Sequence, residues 1–166
     1  MTEFHKQGSR VSGFVPSIVI STMAGYLSAP SLLEAWSHDS YSRGGPAAFG
    51  IWILVLAGVF LLPRGNGNCH GVSWIMIAAA CCAAGSMADL RVLHHLALAC
   101  SLTGLAGMGL SGLLSVAAAL AWMPAAGWFL SRFFPGGLVG WERPAAVLAG
   151  CFVVSIAALR GKPLLS

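Results

Sequence analysis

The chain has 166 residues, of which 57% are hydrophobic and only 8% charged, with a formal net charge of +4. Soluble domains carry about 25% charged residues, so so few charges cannot cover a water-facing globule, and the expected solvent is lipid. The positive residues are scattered singly, which excludes the clustered basic face of a nucleic-acid binder.

Backbone groups in lipid must be satisfied within the element that carries them, which favours helices. The alternating pattern of a barrel strand is absent. Six apolar blocks can be traced, roughly Phe14–Leu27, Pro46–Pro63, Val72–Met87, Val92–Leu110, Gly112–Leu130 and Pro144–Leu159. The expected fold class is all-α: a multi-pass transmembrane helical bundle of about six spans. Five spans plus a re-entrant or surface segment is the alternative count. One membrane domain over 1–166 is expected, behind a short cytoplasmic N-terminus, 1–12.

The first block is the weakest, because Pro16 and Gly25 interrupt it and Pro30 follows. It comes after Lys6 and Arg10, a layout that signal peptides share. Five further apolar blocks commit the chain to the membrane, so an uncleaved first span is expected. A polar island follows, "EAWSHDSYSRGGPAAFG", Glu34 to Gly50. It reads first as a connector between spans. The second block leads to "RGNGNCHG", where Cys69 sits beside His70. Two neighbouring ligands fall short of the four that a structural zinc site needs. No metal, haem or other cofactor is expected.

In the third block, "AAACCAAG", Ala78 and Cys82, then Cys81 and Gly85, lie four apart. Small residues at that spacing let helices approach closely in lipid. Cys81 and Cys82 are adjacent, hence about 100° apart on a helix, and poorly placed to chelate one ion. The fourth block opens with His94 and His95 and continues through "CSLTGLAGMGLSG". Cys100 and Gly104 share one helical face, as do Thr103, Gly107 and Ser111. The third and fourth blocks are expected to pack on each other or on neighbours. The histidines face different directions, so an interfacial or capping role is expected of them, with a proton-relay or substrate role as the alternative. Cys100 and Cys151 lie inside apolar runs, where free cysteine behaves as a small hydrophobe.

Pro124 is expected to kink the fifth block, since proline removes a backbone donor and clashes with the preceding turn. Pro135, Gly136 and Gly137 are expected to end that helix in a turn. Trp122, Trp128 and Trp141 suit an interfacial belt. With six spans and both termini cytoplasmic, Lys6, Arg10, Arg64, Arg160 and Lys162 fall inside, and Arg43, Arg91, Arg132 and Arg143 outside. That favours, by a small margin, the positive-inside orientation in a bacterial inner (cytoplasmic) membrane.

Two stretches combine into a resemblance. Trp36, Asp39, Tyr41, Ser42 and Gly44 resemble the entry motif of the exosortase/archaeosortase family, with Arg43 where that family carries histidine. Roughly eighty residues on, Pro124, Trp128, Phe129, Leu130, Pro135 and Gly136 resemble its second motif, with Phe133 where an inner proline is common. The likeness covers most of 20–150. It implies a multi-pass membrane protein that handles exported proteins carrying a C-terminal anchor signal. The family's catalytic cysteine, arginine and histidine belong to a later region, which has no counterpart here. Cys100 lies before the second motif and lacks the glycine that should follow the serine, so the nucleophile is not carried over to it.

The function expected is that of a non-catalytic, truncated or split relative acting in sorting or anchoring. Its candidate outer-face recognition residues are Trp36, Asp39, Tyr41, Arg43, Arg132 and Arg143. Its expected partners are the lipid bilayer and a membrane protein or anchored protein tail. A small transporter or channel subunit is the alternative from another class. An active membrane cysteine peptidase or transpeptidase using His94, His95 and Cys100 is a third.

Overall fold

A computed structural model describes residues 4–38, 42, 44–61, 70–109, 111–125, 143 and 145–150. Among them every regular element is helical and none is a strand, in accord with the all-α expectation. The helices are α1 (Phe4–His38), α2 (Gly45–Leu61), α3 (His70–Ala88), α4 (Arg91–Leu105) and α5 (Ser111–Ala119). A further helical stretch covers 145–150.

Two helical segments are long and apolar enough to cross a membrane, Val15–His38 and Gly71–Ala88. Helix α2 has 17 residues, α4 has 15 and α5 has 9. At about 1.5 Å per residue the last two reach about 22 and 14 Å, short of the ~30 Å hydrocarbon core. Six full-length spans are therefore not what the described residues display. The two span segments are mostly uncovered by protein: only Ala24, Ser28 and Leu32 are buried in the first, and Gly71, Ile75, Ala78, Cys82 and Gly85 in the second. Val19, Leu33, Leu54, Met76 and Leu113 are all exposed. A core helix of a water-soluble protein would hide such residues, and exposed apolar surface on this scale calls for a lipid or protein cover.

The first block differs most from its expectation. Helix α1 is the longest among the described residues and runs without interruption through Pro16 and Pro30. It also takes in the first part of the polar island, Glu34 to His38. Ser37 Oγ donates back to the carbonyls of Leu33 (2.8 Å) and Glu34 (3.1 Å), so the polar turn feeds its own helix. The connector shrinks to residues 39–44, and α2 begins at Gly45. Part of the short N-terminal segment ahead of the first block, 4–12, is also helical.

The fourth and fifth blocks are shorter than expected. Helix α4 stops at Leu105, and Gly107 takes a positive φ of 64°. The Gly107 amide donates to Gly104 O (2.9 Å) and the Met108 amide to Thr103 O (3.4 Å). This pair of bonds is a Schellman cap, which needs a residue in the left-handed region and so selects glycine. Thr103, Gly107 and Ser111 therefore do not share one helical face: the chain turns between them. Helix α5 likewise ends at Ala119, five residues before Pro124. Amides 120 to 123 each bond three residues back, at 3.1–3.2 Å. Pro124 does not kink a continuous helix but opens the next helical residues, 124–125, a position that suits its missing amide hydrogen.

Helix α4 is the centre of the bundle. It buries His95, Ala97 through Ser101, Thr103 and Gly104. Helix α3 lies antiparallel to it, with Gly71 against Gly104 at one end and Gly85 against His94 at the other. Gly71, Ile75, Ala78, Cys82 and Gly85 form the buried seam of α3, alternating steps of four and three residues. That spacing is the knobs-into-holes pattern of left-handed helix pairs. A Cβ at Gly71 would sit 2.7 Å from Gly104 O, so the two backbones touch there, and the close packing expected of the third and fourth blocks is present. Helix α1 also runs antiparallel to α4: Gly25 faces Leu98, Ser28 faces His94 and Glu34 faces Arg91.

Candidate functional site at one end of the bundle

This topology carries the chemistry-bearing residues to a single end. The last turns of α1, the first of α2, the first of α4 and the segment after α5 all meet there. Two side-chain groups result.

The first joins Trp36, of the first stretch that carries the resemblance, to Trp122, two residues before the second begins. Trp36 Nε1 donates to Trp122 O at 3.4 Å, across 86 positions of sequence. Trp36 lies directly against Gly45, where a Cβ would collide with its indole. Phe49 stands 5.7 Å from Trp36 and meets Trp122 edge-on at 5.0 Å, and Trp52 is 5.6 Å from Trp122. Such edge-on and tilted pairs add roughly 0.5–1.5 kcal/mol each beyond their area burial. Trp52 Nε1 donates to Ser115 O at 3.0 Å, tying α2 to α5. Beside this box lies Arg143, 1% exposed, with Nη1 donating to Met123 O at 3.5 Å. Ser42 is fully buried too. Trp122 Nε1 is buried and has no hydrogen-bond partner among the described residues.

Of the six candidate recognition residues, the structure describes Trp36 and Arg143. Trp36 is half-buried, as an interfacial anchor would be. Arg143 differs from its expected place: its side chain lies inside the bundle end and not in an outward-facing loop. Asp39, Tyr41, Arg43 and Arg132 lie outside the described residues, as do Pro135 and Gly136.

The second group lines the seam between α1 and α4. Ser28 Oγ donates to His94 O (2.9 Å) and Ser31 Oγ to Ser28 O (3.0 Å). His95 Nε2 is 2.8 Å from Ser31 Oγ. With the Ser31 hydroxyl hydrogen directed at Ser28 O, His95 Nε2–H donates to Ser31; with it directed at His95, Nε2 accepts. His95 is 3% exposed, and its Nδ1 has no partner among the described residues. His94 turns the other way, its ring against Gly85 and its Nε2 3.4 Å from Ser86 Oγ. The two imidazoles thus diverge, as adjacency on a helix requires, and His95 is buried in the seam between α1 and α4. Arg91 Nη1 and Glu34 Oε2 form an ion pair at 3.2 Å, both side chains about two-thirds exposed. Around it opens a cleft of about 450 Å³ lined by Ser31, Glu34, Ala35, His38 and Arg91.

Sequence reasoning missed the Glu34–Arg91 pair, because 57 positions separate the partners. The usable signal is that an up-and-down order of spans brings Glu34, after the first block, and Arg91, before the fourth, to the same end of the bundle.

Cys100 does not join either group. It is 1% exposed and packs with Ala78 and Val116, with Ile20, Trp74 and Leu96 around them. A nucleophilic thiolate needs an electropositive, partly open setting. Among the described residues no group of three or more His, Cys, Asp or Glu could hold a metal ion.

The sequence matches no protein-family model, and neither a curated protein nor a solved structure matches it. The likeness to exosortases therefore rests on its motif residues.

Proposed function

We propose that this chain is a multi-pass protein of a bacterial inner membrane that recognises the membrane-anchored tail of an exported protein without catalysing its cleavage. The observation that carries this reading is the contact between Trp36 and Trp122. Trp36 belongs to the first segment that resembles an exosortase motif and Trp122 lies two residues before Pro124, which opens the second; far apart in sequence, they share one aromatic box, and a buried guanidinium hydrogen-bonds to the neighbouring Met123. A guanidinium presents a planar fork that suits a carboxylate, and an aromatic surround suits an apolar anchor helix. The apolar setting of Cys100 supports the non-catalytic half of the reading. In this reading the box faces the outer leaflet, both termini are cytoplasmic, and the shorter helices complete a bundle of about six membrane segments.

Photocrosslinking tests it. A benzoylphenylalanine at position 41, between α1 and α2 in sequence, is expected to trap a co-expressed reporter that carries a carboxylate at the outer end of a C-terminal apolar helix. The adduct is expected to disappear when Arg143 is replaced by Ala and to persist with Arg143→Lys. A reporter that is never trapped, or is trapped equally by all three proteins, would rule the reading out.

A further inference from the structure

The geometry points to a phospholipid site on the α1 face, selective for a headgroup that pairs a phosphate with a primary ammonium. Two openings define it. The polar cleft at the end of the bundle presents Arg91 and Glu34 side by side. Toward the bundle middle, an apolar groove of about 370 Å³ runs between α1 and α3. Ile20 and Met23 form one wall, and Ala79, Ala83 and Met87 line the other.

The two openings share one stripe of α1. Ile20 and Met23 border the groove, and Ser31, Glu34 and His38 border the cleft. Their steps of three, eight, three and four residues return to the same side of a helix. On α3 the groove climbs from Ala79 to Met87, two residues before the connection, Asp89–Leu90, that leads to Arg91. A molecule lying along this stripe meets apolar carbon over the middle of the helices and opposite charges at their ends. That order is the order of a phospholipid, acyl chain below and headgroup above.

Charge selects the headgroup. Arg91 offers donors to a phosphate, and Glu34 offers acceptors to an ammonium. The present ion pair opens to admit both, with each charge keeping an opposite partner. An anionic headgroup would satisfy Arg91 and leave Glu34 facing a like charge. His38 adds donor capacity at the rim, and Ser31 is held in place by His95.

This inference rests on the chain being embedded in a bilayer. The full-length protein is therefore first tested for retention in membranes through an alkaline carbonate wash. It is then examined in detergent by native mass spectrometry with phosphatidylethanolamine, phosphatidylglycerol and acyl-free glycerophosphoethanolamine. Retained protein is expected to bind phosphatidylethanolamine about three- to fivefold more tightly than phosphatidylglycerol, the size that partly exposed charge pairs give. Glu34→Gln is expected to remove the preference. Ala83→Phe, on an exposed face where added bulk leaves the bundle intact, is expected to weaken both diacyl lipids together. Glycerophosphoethanolamine is expected to compete poorly, because it leaves the groove empty.

Protein released by the carbonate wash would overturn the membrane reading itself. Retained protein that binds both lipids equally, or keeps its preference in Glu34→Gln, would overturn the lipid site alone. Unchanged circular dichroism of the Glu34→Gln protein shows that a lost preference is not lost folding.

Discussion

At the scale of the residue, two turns hold the central hairpin and its exit in place, and they do so with different chemistry. The turn between α4 and α5 uses Gly107 at a φ of 64°. The turn between α3 and α4 puts Asp89 in the same left-handed region, at 51°, and the Leu90 amide closes on Gly85 O at 3.0 Å. A side chain in that region costs roughly 1–2 kcal/mol in steric strain, less for aspartate than for most residues. Asp89→Gly is therefore expected to stabilise the protein by up to about 1 kcal/mol, read as a higher thermal midpoint in detergent. An unchanged or lower midpoint would mean that the aspartate side chain holds a contact that outweighs its strain. Gly107→Val is expected to act in the opposite sense, since a β-branched residue at positive φ is a genuine outlier.

Residue identity alone made part of this legible. Glycines in "GLAGMGLSG" announce a break, but the sequence does not say which of them turns the chain. The buried state of Arg143 was not legible either, because an arginine beside an apolar block reads equally well as an interfacial anchor. Its guanidinium is held by the Met123 carbonyl, twenty positions back in the chain.

At the scale of the element, the α3–α4 seam is the most constrained contact. Its small residues at four- and three-residue steps were visible as a packing pattern, and the pair does pack. Gly71→Ala would set a methyl 2.7 Å from the Gly104 carbonyl oxygen. Backbone on both sides leaves nothing flexible to move aside, so the loss is expected to be about 1–3 kcal/mol, the usual cost of overpacking. Gly58→Ala is the matched control, since a Cβ there meets open space. The check is the difference between their melting midpoints in the same detergent. Equal midpoints would show that the helices are further apart than the seam requires.

The length of α1 was the least legible feature of any element. Pro16, Pro30 and the polar run Glu34–His38 each argue for a break in water. In a bilayer an open backbone group costs several kcal/mol, and the helix is the state that leaves fewest open. Ser37 reinforces it by bonding to the carbonyls three and four residues back. Local signals therefore lost to the demand that the backbone satisfy itself.

At the scale of the whole molecule, the decisive property is the apolar outside. Around α4 the centre is close-packed with alanines, glycines and short polar side chains such as Ser101 and Thr103, and Trp52, Trp122 and Met123 are buried at one end. Many large apolar residues, Leu54, Met76 and Leu113 among them, are left exposed. A water-soluble bundle would cover more of them. Composition made this legible at once, since so few charged residues cannot cover the outside. The meeting of Trp36 with Trp122 was not legible, because it depends on how each successive helix reverses and returns.

Nitroxide labels placed singly at Leu54, Met76 and Leu113 test the account most directly, in protein reconstituted into lipid vesicles. All three positions are strongly exposed on the protein. The account predicts that dissolved oxygen, which concentrates in lipid, relaxes each label efficiently, while a water-soluble nickel chelate barely reaches it. Labels that respond freely to nickel and weakly to oxygen would place these faces in water and contradict the account.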